Sequence, residues 1–189
     1  MAVIDSRTNG PLSVLEQAGT DNPEIAVRLW LSALTGIPKE RVRPRWSPRP
    51  GTRPPLDADW CAVGIMAVKT LGTPYQHGKK GELEKPESGD VTRESHQRMD
   101  FAVSFYGPNA ALLADTFRES SQISQNAEAL KAKGMSLLAV SADIQRMPDF
   151  VFETWVDRYE VTFQVGRKVT RTYGVRSIAG FSGNEILHD

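Results

Sequence analysis

Three histidines and one cysteine are the side chains best equipped for chemistry in this 189-residue chain: His77, His96, His188 and Cys61. Their spacing fits no zinc motif. Cys61 with His96 is the pairing that would make a nucleophile, a thiolate activated by an imidazole. That chemistry needs an exposed thiol. Cys61 lies within the apolar run "WCAVGIMAV", where a small core residue is the plainer reading. A single cysteine excludes an intramolecular disulfide. The carboxylates form no clear acid–base pair. Glu153 and Asp157 are four apart in what reads as the entry to a strand, and Glu82, Glu84 and Glu87 fall in a turn-rich, solvated stretch. Neither a P-loop nor a G-x-G-x-x-G fingerprint is present. The chemistry of the residues therefore implies no catalytic site, no cofactor and no metal.

The stretch "MDFAVSFYGPNAALLADTF" (Met99 to Phe117) runs from a strand into a helix through Tyr106-Gly107-Pro108-Asn109. Such a turn can hold a nucleophile or a phosphate. A nucleophile elbow needs G-x-S-x-G with the serine in the turn, whereas Ser104 lies two residues before it and lacks the glycines. Pro108 removes an N–H donor, and no basic residue follows until Arg118, so an anion is poorly served. The turn reads as a corner of the scaffold.

Lysine plus arginine equals aspartate plus glutamate, giving no net charge. Neither nucleic acid nor membrane follows from that balance. The distribution is uneven. Lys39 to Arg53 carries Lys39, Arg41, Arg43, Arg45, Arg49 and Arg53 against Glu40, while Asp143 to Glu160 leans acidic. The two segments are read as complementary faces of a protein that contacts copies of itself or a partner. The candidate interface residues are Arg41, Arg43, Arg45, Trp46 and Arg49, with Arg167, Lys168 and Arg171 near the C-terminus. Reversing Arg43 and Arg45 to glutamate is expected to leave a folded monomer that joins poorly.

The elements that must position these residues follow from periodicity and punctuation. Residues 1–22 read as an N-terminal arm, loose or with a short helix near Leu12 to Gln17. "NPEIAVRLWLSALTG" is a helix: Asp21 or Asn22 caps it, Pro23 suits its first turn, and Gly36 stops it. Ile25, Leu29 and Ala33 form one apolar stripe. Trp30, Leu34, Val27 and Leu31 widen it beyond what one sheet face needs, as expected of a central helix or one shared with a neighbouring subunit. Five prolines between Pro44 and Pro55 leave a short extended piece at Val42 to Trp46 and then a loop. "DWCAVGIMAVKT" is a strand with two apolar faces, hence one covered on both sides. Residues 73–90 read as a flexible loop. Met99 to Tyr106 alternates as a strand with one buried face. Helices near Pro108 to Glu119 and Gln125 to Lys133 follow, then the strand "MSLLAVSA". Arg158 to Val175 alternates throughout and is either one strand bent at Gly166 or a hairpin turning at Gly166-Arg167. Hairpin-type linkage with grouped helices gives an α+β fold over residues 23–189: a mostly antiparallel twisted sheet with helices packed on it. No apolar run is long enough to span a bilayer. The first residues lack the pattern of a secretion signal.

Five stretches then occur in order: "VRPRW" (Val42 to Trp46), "DWCAVGI" (Asp59 to Ile65), "SFYGPNA" (Ser104 to Ala110), "QNAEALKAKGM" (Gln125 to Met135) and "VTRTYGV" (Val169 to Val175). This ordered set, from about Pro23 to Ala179, resembles the neck or tail terminator proteins of tailed bacteriophages and prophages. The resemblance implies a virion protein at the head–tail junction, made in the host cytoplasm. It implies a homo-oligomer, a six-membered ring, that ends tail-tube growth and joins tail to head. Its partners would be the tail tube protein and a head-completion or connector protein, with DNA passing through the lumen without sequence-specific binding. No catalytic residue comes with it. The alternatives are a head-completion adaptor of the connector, in a ring of twelve, and a small cytosolic enzyme with an unfamiliar site.

Overall fold

The computed structural model describes residues 10–19, 22–47, 52, 54–79, 89–151 and 153–175. The elements are β1 (Val14–Ala18), α1 (Pro23–Thr35), a short 3₁₀ turn (Lys39–Arg41), β2 (Val42–Pro44), β3 (Trp60–Lys79), β4 (Asp90–Tyr106), α2 (Ala110–Ser121), α3 (Ser124–Lys131), β5 (Met135–Val140), β6 (Gln145–Arg146), β7 (Asp149–Val151), β8 (Thr154–Val156) and β9 (Arg158–Gly174). The fold is α+β, with a mostly antiparallel sheet, as the alternation and grouping of elements require. The strand order is β1-β9-β4-β3-β2, and β5 and β6 also pair with β9. The short edge strand β2 is parallel to β3, Val42 lying opposite Cys61. The contacts gather in two compact units.

The larger unit comprises Gly19–Gly72 and His96–Lys168. Alternate residues of its strands build the core. Cys61 and Val63 of β3, Phe101, Val103 and Phe105 of β4, and Val161, Phe163 and Val165 of β9 are all buried. The helices contribute Trp30, Leu31, Phe117 and Leu130 to the same cluster. Helix α1 begins where Asn22 accepts a bond from the Ile25 N–H at 3.1 Å, and it ends at Gly36, whose φ of 72° is left-handed. Trp30 Nε1 donates to the carbonyl of Asn126 at 2.8 Å, which fixes α3 against α1.

The turn after β4 is a corner whose every part is accounted for. Gly107 has φ of 107°, and a Cβ there would stand 2.6 Å from Asp59 Oδ1 and 2.7 Å from the Ala58 carbonyl. The Asp59 carboxylate accepts from the Asn109 N–H at 2.9 Å and from Asn109 Nδ2 at 2.8 Å. The positive end of α2 thus holds the protein's own anion. Gly107→Ala combines backbone strain with overpacking and is expected to cost at least about 2 kcal/mol. A urea melt checks this; an unchanged midpoint would show that the corner can relax.

The smaller unit gathers Thr73–Ser95 with segments from both ends of the chain, Met1–Ala18 and Val169–Asp189. In it β1 runs antiparallel to β9, Val14 opposite Tyr173 and Ala18 opposite Thr170. Arg171 Nε donates to Gln17 Oε1 across this pair at 3.0 Å.

Three local expectations change, and one alternative is decided. Val14–Ala18 is a strand rather than an arm or a short helix, because pairing with β9 overrides its weak local preference. The loop expected at 73–90 is strand as far as Lys79 and again from Asp90, residues 80–88 lying outside those described. Exposed strand without alternation resembles loop in sequence, and Gly72 and Pro74 read there as turn residues. The helix-free face of β3 is not covered within the subunit: Met66 and Val68 are each about half exposed. Finally, β9 is one strand through Gly166, with no hairpin turn. Gly166 instead makes room for the Leu138 side chain, which a Cβ would meet at 3.3 Å.

Candidate subunit interface

The structure distributes the basic candidates over three places. Arg43 and Arg45 line a cleft of about 660 Å³ in the larger unit, with Trp60, Ser104, Tyr106 and Arg158. Arg41 and Trp46 are exposed nearby in sequence, and Arg49 lies outside the described residues. Arg167 and Lys168 line a second groove of about 290 Å³ with Leu71, His96 and Leu138. Arg171 belongs to the smaller unit.

The cleft is built by the strand ends. Trp60 opens β3 and Tyr106 closes β4, and their rings stack at 4.1 Å with 6° between planes. The Tyr106 hydroxyl donates to Asp149 Oδ2 at 3.4 Å, and Arg158 Nη1 donates to the same oxygen at 3.1 Å. Burial pushes the Tyr106 phenol above its ordinary pKa, with bonding from Arg158 opposing it. The phenol therefore stays protonated and neutral throughout the physiological range.

Arg45 lies at the base of the cleft, bonded into its own subunit. Its N–H donates to the Val63 carbonyl at 2.8 Å. Its Nη1 reaches Glu160 Oε2 at 2.9 Å and Ser104 Oγ at 3.3 Å. Ser104 Oγ donates to the same glutamate oxygen at 2.8 Å. The guanidinium stands 5.6 Å from the Trp46 ring centroid. Gly64 permits this close approach, since a Cβ there would fall 2.9 Å from Arg45 Cβ and 3.3 Å from the Trp46 ring. Arg43 donates to the carbonyl of Thr52. Charge reversal is therefore not a neutral probe at Arg45, contrary to the sequence-based expectation for the Arg43–Arg45 pair.

The acidic segment is also largely engaged within the subunit. Glu160 pairs with Arg45, Asp149 with Arg158 and Asp157 with Arg146. Asp143 and Glu153 are exposed. A hydrophobic feature that the charge pattern hid lies in the same segment. β7 and β8 form a separate two-stranded hairpin. Phe150 and Trp155 face each other across it with ring centroids 5.1 Å apart, and they are 61% and 67% exposed. The sequence signal was the alternation in "DFVFETWV", read only as strand entry.

The catalytic candidates do not come together. Cys61 is buried in the core cluster, whereas His96 is exposed and lines the second groove. His77 lies on β3 near Tyr75, with ring centroids 5.5 Å apart. His188 and the glutamates at 82, 84 and 87 lie outside the described residues. No group of three metal-ligating side chains occurs among the described residues. Burial pushes the Cys61 thiol up to about 12, with Arg28 opposing the rise. The thiol is then neutral at pH 8, and a maleimide is expected to label it only after denaturation. Because the folded thiol ionises later than the ordinary value of 9.0, its contribution to stability is lost as pH rises from 9 towards 12. Cys61→Ala should remove that part of the alkaline slope in a melt. Rapid labelling of the native protein at neutral pH would contradict the burial.

The family model for phage neck terminator proteins matches residues 24–189. The chain belongs to that family. No curated protein matches. Membership makes this neck terminator a structural protein of the phage neck. Four of the five stretches that carry the resemblance lie in the larger unit. "VRPRW" packs its arginine and tryptophan on Gly64 of "DWCAVGI", whose Asp59 caps the helix that begins in "SFYGPNA". "QNAEALKAKGM" supplies the carbonyl that Trp30 holds. "VTRTYGV" pairs with β1 in the smaller unit. What distinguishes this terminator in sequence is thus scaffold geometry. No helix among the described residues is long and apolar enough to cross a membrane.

Proposed function

We propose that copies of this neck terminator close into a six-membered ring that ends tail-tube growth and joins the finished tail to the head. The observation that carries the reading is the family match over residues 24–189. The surface supports it. On α1, Val27, Trp30 and Leu31 face the core, while Ile25 and Leu29 are 50% and 42% exposed and Ala33 is exposed beside them. That stripe is the part of the helix in excess of one sheet's needs, as a helix shared with a neighbouring subunit requires. Met66 and Val68 add apolar surface on the helix-free face of β3.

A ring of identical subunits forms when a heterologous contact repeats through a rotation that closes. One broad side then meets the last ring of the tail tube, and the other meets the head-completion or connector protein. The two sides differ, so no further tube subunit adds to the second. DNA passes through the lumen without sequence readout, which suits a chain of no net charge. The activity is one of shape, with no cofactor or metal in it.

The test is a phage in which the gene for this protein carries an early stop codon. Negatively stained lysates are expected to hold filled heads and separate tails, many longer than wild type. Tails of normal length joined to heads would contradict the proposal. A ring of twelve on the head side would assign the protein to head completion instead.

A further inference from the structure

We propose that the β7–β8 hairpin of one copy seats in the arginine–aromatic cleft of the next, making this the contact that closes the ring. The inference rests on the ring reading above and names its contact. The hairpin is built to reach outwards. Arg146 pairs with Tyr159, the Met147 N–H donates to the Arg158 carbonyl at 2.8 Å, and Asp149, Phe150 and Val151 pair with Val156, Trp155 and Thr154. The hairpin therefore follows the β6–β9 pairing as a two-stranded piece of its own, about 10 Å long at the usual rise per residue. Its turn includes Glu153, held at φ of 60°.

Two exposed aromatic rings on a ribbon end are costly in water, and such rings are what interface anchors are made of. Within their own subunit they remain in solvent, so the chain's own cleft does not take them. The cleft has the complementary character. Trp60 and Tyr106 offer a stacked aromatic wall, and beside it stand Arg43, Glu40, and the ion-paired Arg45 and Arg158. The hairpin brings Phe150 and Trp155 to the wall and Glu153 towards Arg43.

Their positions also suit a ring. A rotation that closes a ring has no translation along its axis, so donor and acceptor must sit at the same height on the subunit. Tyr106 and Arg158 both line the cleft and both bond Asp149, the first residue of the hairpin. Cleft and hairpin base therefore share one end of the sheet. A rotation whose axis leaves hairpin tip and cleft at one height brings each hairpin to the neighbour's cleft.

The experiment complements the stop-codon phage from a plasmid. One plasmid carries Phe150→Ala with Trp155→Ala. A second pair carries Glu153→Cys and, on separate copies, Ser47→Cys, at a residue that lines the cleft. The two are supplied together, and the purified necks are treated with a short bis-maleimide. Buried Cys61 stays silent in this reaction. Because the aromatic rings are exposed, the double variant should melt as wild type does while joined particles fall about tenfold or more, the loss of two anchor side chains. Cross-linking should give a two-copy product only when both cysteine variants are present. Full complementation by the double variant would overturn the inference and leave the terminator reading intact. So would a two-copy product from Glu153→Cys alone, which indicates a two-fold contact, or a product joining Glu153→Cys only to a different protein. If the stop-codon phage itself makes normal joined particles, the terminator reading fails, and this contact fails with it.

Discussion

Arg45→Glu is expected to leave little folded protein. Arg45 and Glu160 are a mostly buried pair, with side chains 18% and 11% exposed. A second carboxylate at this point would face Glu160, and Ser104 can donate only one hydroxyl proton to the two of them. Removing one member of a buried pair costs about 3–5 kcal/mol, and a like charge in its place does no better. Against a total stability of about 5–15 kcal/mol for a single domain, that loss is decisive. A lowering of the melting temperature by about 10 °C or more is expected, read by circular dichroism. Arg43→Glu should melt within a few degrees of wild type, since among the described residues Arg43 is engaged with a backbone carbonyl alone. Arg45→Met keeps much of the packing over Gly64 but orphans Glu160, so it should fall between the two. Equal, small effects from all three variants would mean that the Arg45–Glu160 bond contributes nothing to the fold.

Phe163→Ala is expected to destabilise the protein by about 3–5 kcal/mol, the usual cost of emptying an aromatic core site. Phe163 is the centre of the larger unit's core. Its ring stacks on Phe101 at 5.2 Å, meets Phe117 edge-on at 5.3 Å and tilts against Trp30 at 6.1 Å. Truncation removes three ring contacts at once, and neighbours on β4, α2 and α1 have no common direction in which to close the gap. Phe163→Leu should cost less than half as much, because most of the volume is kept. Trp155→Ala removes a larger side chain yet should leave the monomer's urea midpoint unchanged, since Trp155 is 67% exposed. A Phe163→Ala protein with the wild-type midpoint would show that the core is able to collapse around the loss.

Much of this architecture is legible in the residues. Period-two alternation from Met99 to Tyr106 and from Tyr159 to Val165 marks the two central strands through their apolar faces, although in β4 the other face, Ala102, Ser104 and Tyr106, is buried as well and not only the one face the alternation suggests. The caps of α1 are legible because Asn22, Pro23 and Gly36 each answer a local backbone demand. The corner at Gly107 was legible as punctuation. Its partner Asp59, about fifty positions away, was not, since that bond exists only after β3 and β4 are both in place. The same limit applies to Arg45. A run of arginines reads as solvated charge, and nothing local indicates that one of them reaches Glu160 on β9. Residues 73–78 were unreadable for the opposite reason. Their strand is exposed, so burial imposes no alternation on them. The aromatic hairpin lay within a segment whose acidic residues drew attention from Phe150 and Trp155.

A reconstruction of the neck from intact virions, made without imposed symmetry, tests the central claim most directly. If this chain is a shape-based terminator, its density forms one ring of six copies between the last tail-tube ring and the head-side assembly, each hairpin meeting the next copy. Density for the chain elsewhere in the particle, or its absence from purified virions, would contradict that claim.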